Sequence, residues 1–250
     1  MSINACADQL ILALADREQI LAITHYARDP DMSFYADRAE GLPTIRGDAE
    51  EVLKLKPDLV LAGSFTRSAT RAQLAAQSIR IVTFSPARSI EDVKKHIREV
   101  ASLVGQETRG DTLVAEIDAA FANLRPSSRP LRALQLQRRA FAAGTDTLIH
   151  DIMQRLGIVN AATDLGIRYV GRTSLEAVLK AKPDVLILDS ADPGAVDQGV
   201  ALLSHPALEE VVPRHRRIVI PSSQIVCASP GIALAARTLR DAAERILDEK

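Results

Sequence analysis

The stretch Glu51-Val-Leu-Lys-Leu-Lys-Pro-Asp-Leu-Val-Leu61 occurs almost twice in this chain. Its second version is Glu176-Ala-Val-Leu-Lys-Ala-Lys-Pro-Asp-Val-Leu-Ile-Leu188. At one constant offset, Val52-Leu53-Lys54 falls on Val178-Leu179-Lys180 and Lys56-Pro57-Asp58 on Lys182-Pro183-Asp184. Arg46 and Glu50 fall on Arg172 and Glu176 at the same offset. A shared Lys-Pro-Asp alone would be chance. A shared helix, breaker and strand, with flanking charges in step, indicates two similar halves. Proline ends the helix because it lacks an amide proton and disfavours helical geometry at the preceding lysine. The unbroken apolar run that follows suits a strand buried on both faces of a parallel sheet. One duplication is not a solenoid, which needs several copies.

Outward from the first copy, residues 2–4 read as the end of a strand and residues 7–16 as a helix with an apolar face. Residues 20–25 form a short apolar run, and 43–46 are extended. Asp48 stands where it can cap the helix 49–55, with Glu50 and Glu51 in the first turn. A helix over 68–77, a strand over 81–84 and a helix from Ser89 to near Gly105 follow. A further helix, 107–124, would span roughly 27 Å. Pro126-Ser-Ser-Arg-Pro130 is the best boundary. The second half reads as strand 132–137, loop 138–147, helix 148–156 ended by Gly157, helix 175–181 and strand 185–188. Short helical pieces at 201–203 and 207–211, strand 218–220, loop 221–230 and helix 232–248 complete it. The alternation predicts an α/β chain of two Rossmann-like lobes with central parallel sheets, 1–106 and 126–250, joined by one long helix, 107–125.

Composition is that of an ordinary globular protein, 47% hydrophobic and 25% charged. Thirty-one basic residues against 32 acidic ones give no basic face for nucleic acid. With no Trp, five Phe and three Tyr, aromatic stacking of bases is not the main mode of recognition. Cys6 and Cys227 form no CxxC pair; two separate buried thiols are the favoured reading, with a disulfide as the alternative. No apolar run reaches the length of a membrane span. The start, Met1-Ser-Ile-Asn-Ala5, lacks the basic and apolar regions of a signal peptide; a signal segment is expected in the precursor. GxSxG, GxGxxG and GxxxxGK[ST] are all missing, which points away from catalysis and from a resident cofactor.

Three stretches carry a resemblance. Gly47 through Leu61 is a glycine, a helix and a "KPDLVL" strand. Gly144-Thr-Asp-Thr-Leu-Ile-His150 precedes Leu156-Gly-Ile-Val-Asn160, similar to a glycine loop and a helix ending "LGL.N". Asn4-Ala-Cys-Ala-Asp-Gln-Leu10 is similar to an "LNLCTDQL" opening. Together they resemble the substrate-binding proteins of bacterial ABC importers for iron complexes and vitamin B12, whose lobes are linked by a single helix. The resemblance covers essentially the whole chain. It implies a periplasmic or lipid-anchored monomer that captures an iron–siderophore or similar metal chelate between its lobes. The chelate would pass to an ABC permease dimer with its ATPase, without chemistry. A rigid linking helix implies small closure. A corrinoid or haem is the alternative ligand, and an intracellular chelatase-like enzyme the alternative class.

Ligands of open α/β sheets sit at the carboxyl ends of strands. Arg46, Arg67, Arg138, Arg139 and Arg172 flank such ends, and a guanidinium fork suits the oxygens of an anionic chelate. The competing reading of each is a solvated charge. Tyr26 and Tyr169 could stack on a planar chelate. Asn4, Cys6, Ser64, Phe65, Pro86, Thr145, Ser190, Ser222 and Ser223 complete the expected binding residues; no catalytic or metal-ligating residue is expected. Direct metal binding would need His25 with Asp146 or Asp192, and His25 and Tyr26, as strand neighbours, should point apart. The family's permease contacts are acidic, yet residues 67–74 contain no acid; Asp37, Glu40, Asp192, Asp197, Glu209 and Glu210 are the candidates.

Overall fold

A computed structural model of the chain describes residues 1–189 and 202–248. The elements run α1 (Ala5–Leu14), β1 (Ile23–Thr24), β2 (Thr44–Ile45), α2 (Ala49–Leu55), β3 (Leu59–Gly63), α3 (Ser68–Ala76), β4 (Arg80–Phe84), α4 (Ile90–Leu103) and α5 (Glu107–Ala122). The second half follows as β5 (Leu131–Gln137), β6 (Phe141–Ala143), α6 (Leu148–Arg155), β7 (Ile158–Asn160), β8 (Val170–Arg172), α7 (Leu175–Ala181) and β9 (Val185–Leu188). It closes with α8 (Pro206–Val211), β10 (Arg217–Val219), α9 (Ser222–Ile225) and α10 (Gly231–Asp248). Ser190, Asp192, Asp197 and the expected helical start at residue 201 lie outside the described residues.

The chain forms two compact units. Unit 1 holds Met1–Ala87, Glu91–Asp118 and Ser222–Gly231; unit 2 holds Arg88–Ile90, Ala119–Pro221 and Ile232–Lys250. One of the passages from unit 1 to unit 2 falls within α5, between Asp118 and Ala119.

In unit 1, β3 and β4 pair in parallel, as do β1 and β2. Residues 1–3 join the two pairs. The Ser2 amide donates to Ala22 O at 3.2 Å, the Ile3 amide donates to Leu61 O at 2.9 Å, and Leu61 returns a bond to Met1 O at 3.0 Å. The first three residues therefore occupy a strand position, and α1 leaves from its carboxyl end. Met1, Ile3, Val52, Val60, Ala62 and Leu74 fill the core beneath. Ordinary transfer values give about 1.5–3 kcal/mol for each large apolar side chain so buried.

Unit 2 is built on β5. β7 and β9 flank it in parallel, and β10 pairs with β9 at the edge. Its core includes Leu134, Leu136, Val178, Leu186 and Leu208. The all-parallel expectation is corrected here: β6 runs antiparallel to both β5 and β8. The loop expected over 138–147 contains β6, because only Arg138–Ala140 separates β5 from β6, and so short a connection can join only antiparallel strands. Likewise the loop expected over 221–230 contains the short helix α9.

The duplicated unit folds alike in both places. α2 and α7 end at Lys56 and Lys182, both left-handed with φ of 47° and 45°. The prolines behind them prevent continuation, and the strands that follow are buried. The caps differ. Ser174 Oγ accepts from the Ala177 amide at 3.2 Å, whereas the Asp48 side chain makes no cap bond. Glu51 acts instead, accepting from the Arg46 amide at 2.8 Å.

Candidate functional site

In unit 1 the strand ends gather around the start of α1. Asn4 caps that helix, its Oδ1 accepting from the amides of Cys6 at 3.0 Å and Ala7 at 3.2 Å. Its amide nitrogen lies where a Cβ on Gly63 would be, 2.5 Å away, so a side chain at Gly63 would displace it. Asn4 thus ties the helix start to the end of β3. Beyond Gly63 the chain turns sharply: Thr66 N donates to Gly63 O at 2.9 Å, and Thr66 Oγ1 accepts from the Gly63 amide at 3.2 Å. Ser64, whose amide donates to Phe84 O at 2.9 Å, is half-buried on this turn. Phe65 stands out from it, 79% exposed.

After β1, His25 and Tyr26 lie in a single turn of 3-10 helix rather than on a strand. Their rings therefore come together, with centroids 3.9 Å apart, instead of pointing to opposite faces. Tyr26 is 45% exposed. Arg46 follows β2 and is exposed; Arg67 stands at the start of α3 and is exposed; Pro86 is half-buried after β4.

Cys6 and Cys227 are joined in a disulfide, with Cα atoms 4.9 Å apart. The reading of two separate buried thiols is corrected: Ser222–Gly231 returns to unit 1 and lays Cys227 against the start of α1. Cys6 therefore has no thiol to offer a ligand. Ser223 is buried and its amide donates to Asp31 O at 2.9 Å; Ser222 is half-buried, and Val226 beside it is exposed. Sequence reasoning missed Val226, and the only signal was the cysteine next to it.

Beneath this rim Asp8 is fully buried. Its carboxylate accepts from Ser2 Oγ, from the Thr24 amide at 3.0 Å and from Thr24 Oγ1. Burial pushes its pKa up to about 6, and the Ser2 and Thr24 hydrogen bonds oppose that rise.

In unit 2 the site is built from β6 and β8. Arg139 and Ala140 both take left-handed backbone, φ 59° and 60°, in the three-residue connection between the paired residues Gln137 and Phe141. Neither is glycine, and held strain of this kind clusters at functional positions. The turn exposes Arg138 and Arg139 at the carboxyl end of β5. Arg172 pairs with Phe141, the residue just after the turn, and is also exposed. The structure so brings Arg138, Arg139 and Arg172 to one edge, while Arg46 and Arg67 belong to unit 1.

At the other end of β6, Gly144 passes so close to Ile167 that a Cβ would come 2.2 Å from its carbonyl oxygen. Amides of Gly144, Thr145 and Asp146 bond the carbonyls of Tyr169, Ile167 and Arg168 at 2.5, 3.2 and 2.6 Å. Asn160, at the carboxyl end of β7, donates to the Ala143 and Gly144 carbonyls, each at 3.2 Å. Thr145 and Tyr169 are thereby held together at that strand end. Asp146 pairs with Arg88 at 2.7 Å, and the Arg88 guanidinium lies 5.5 Å from the centroid of the half-exposed Tyr169 ring. This Arg88–Asp146–Tyr169 cluster was missed, because its members are distant in sequence.

Among the described residues, no group of three His, Cys, Asp or Glu side chains is placed to hold a metal ion. A cavity of about 570 Å³ lies along β10 and α10, lined by Arg217, Thr238, Asp241 and Arg245 among others. Its lining belongs to β10 and α10 and includes none of the described residues expected to bind ligand.

A sequence profile described as "Periplasmic binding protein" matches residues 1–217. The chain belongs to the periplasmic binding protein family. A "Cobalamin-binding protein" of Halobacterium salinarum is 26% identical over 194 residues, which is 75% of this chain and 52% of that one. An "Uncharacterized ABC transporter substrate-binding lipoprotein YvrC" of Bacillus subtilis is 25% identical over 162 residues, covering 60% and 51%. The chain thus spans about half the length of these curated relatives. Among solved structures, the "Periplasmic heme-binding protein RhuT from Roseiflexus sp. RS-1 in apo form" superposes with a TM-score of 0.75 at 26% identity, over 97% of each chain.

Proposed function

We propose that this chain is the substrate receptor of an ABC importer, capturing a metal chelate non-covalently for a membrane permease and its ATPase. Family membership supports the general role. The observation that carries the ligand class is the hairpin turn that exposes Arg139, with Arg172 in register beside Phe141. Two guanidinium groups on one edge suit an anionic rim, and each charge-assisted bond contributes about 1.5–3 kcal/mol.

Within the chelates, a tetrapyrrole fits the rings better than an open-chain siderophore. Phe65 and Tyr26, both in unit 1, are exposed, and such rings favour the face of a flat macrocycle. The names of relatives, cobalamin-binding and heme-binding, support the same choice. A periplasmic or membrane-anchored location is supported by the family and by the disulfide, a feature common in oxidising compartments and rare elsewhere.

A thermal-shift screen against ferric protoporphyrin IX, cobalamin, a ferric hydroxamate and bare divalent ions tests this. A ligand at a hundred times its Kd stabilises by about 2.7 kcal/mol. Stabilisation by one or more chelates and not by bare ions is expected; the reverse pattern would end the proposal.

A further inference from the structure

Ser222–Gly231 belongs to unit 1, although Pro221 and Ile232 on either side belong to unit 2. Among the described hydrogen bonds, its backbone is tied to the rest of unit 1 by the Ser223 amide donating to Asp31 O. Cys6 Sγ also lies 3.9 Å from Val226 O, and the remaining bonds along the segment are local: Val226 N to Ser222 O, Ser229 N to Cys227 O, and Gly231 N to Ser229 Oγ. The Cys6–Cys227 bond is its covalent attachment to unit 1, and Ser223, Ile225, Ala228 and Ser229 are buried alongside it. That bond lands beside Asn4 at the start of α1, in the rim that also carries Gly63 and the Phe65 turn. The segment places exposed Val226 and half-buried Ser222 in this rim, while Ile225 and Cys227 point inward and are buried.

The two cysteines are unequally exposed. Cys227 is 3% exposed, whereas Cys6 is only half-buried. Cys6 is also the second residue of a ten-residue helix, where helix amides stabilise a thiolate. We propose that the Cys6–Cys227 disulfide is a redox control on the unit 1 rim. Oxidised, it holds Ser222–Gly231 in the rim; reduced by an external dithiol, it releases the segment and chelate affinity falls. The inference about affinity rests on the receptor reading above.

The exchange balances. One thiolate of the dithiol attacks the accessible Cys6 Sγ, the Cys6–Cys227 bond breaks, and Cys227 leaves as a thiolate that takes up a proton. The second thiol of the dithiol then attacks its own partner sulfur in the mixed disulfide. Cys6 leaves as a thiolate at the start of α1, and the dithiol departs oxidised. Two electrons pass to the protein, which gains two thiols.

Hydrogen exchange on the whole chain tests the release without any ligand, comparing oxidised protein, protein reduced with dithiothreitol, and C6S/C227S. Protection across 222–231 should fall by about tenfold or more on reduction, with β3, β4, β5 and β9 unchanged. Unchanged protection in 222–231 would overturn the proposal, and so would loss throughout unit 1, which would make the bond a general staple. Ferric protoporphyrin IX is then titrated into oxidised wild type and C6S/C227S, since thiols themselves reduce and ligate ferric iron. A several-fold weaker affinity in the variant is expected, and equal affinity with a released segment would refute control of the site. If wild type binds none of the screened chelates while the segment still releases, the receptor reading fails and the redox-released segment stands.

Discussion

The two copies of the Lys-Pro-Asp unit make the same scaffold and different sites. Val52 and Val178 are both fully buried, Lys56 and Lys182 both close their helices in left-handed geometry, and both following strands are buried. What differs is what has been attached. Unit 2 adds the antiparallel pair β6 and β8, which brings Arg139 and Arg172 to one edge. Unit 1 has no hairpin at the matching place. There Arg46 follows a two-residue strand, and the rim is completed by a segment from the far end of the sequence, held by a disulfide. A repeated core therefore fixes where a site can be, and the unrepeated additions decide what it holds.

The largest expected effect tests the sameness of the cores. Leu61 and Ile187 occupy equivalent positions, and both are fully buried. Replacing either with Ala should cost roughly 2–5 kcal/mol in chemical denaturation. A loss at one and not the other would break the equivalence of the two copies.

Next comes a difference under the rims. Asp146 in unit 2 is partly exposed and paired with Arg88, whereas Asp8 in unit 1 is fully buried with hydroxyl and amide partners. Its pKa of about 6 lies above the ordinary 3.8, so the folded state keeps a proton that the unfolded state has released. The stabilisation is present below the unfolded value, declines as pH rises, and is lost above about 6. Relative to Asp8→Asn, wild type should lose about 3 kcal/mol of stability between roughly pH 4 and pH 7. A pH-independent difference between the two would refute the assignment.

Smaller contrasts follow within the copies. Asp184 Oδ2 accepts from the Arg132 amide at 2.9 Å, while the matching Asp58 is exposed. Asp184→Ala should cost about 1–3 kcal/mol and Asp58→Ala well under 1. At the caps, Ser174→Ala should cost about 1 kcal/mol and Asp48→Ala only a few tenths, because only Ser174 bonds a helix amide. Equal losses at either pair would mean that local hydrogen bonds do not set the difference.

Much of the scaffold was legible because its signals are local. The helix of the first copy ends where Pro57 requires, and the long helix near residue 107 begins where the pattern places it. β6, β7 and β8, of three residues each, were not legible in the sequence. The Arg138, Arg139 and Arg172 edge could be named residue by residue, but its assembly depended on the pairing of Phe141 with Arg172. Cys6 and Cys227 lie 221 residues apart, and no spacing rule reaches across such a separation. Arg88 was legible as a loop residue but not as the partner of Asp146.

The most direct test of the receptor account is an equilibrium titration of the best-stabilising chelate against wild type and against R139G/R172A. Glycine suits the left-handed turn at position 139, so the hairpin persists while its guanidinium is lost. The account predicts saturable one-to-one binding by wild type and an affinity loss of at least about a hundredfold in the double variant, from two charge-assisted bonds. Unchanged affinity in the variant, or no saturable binding of any chelate by wild type, would contradict it.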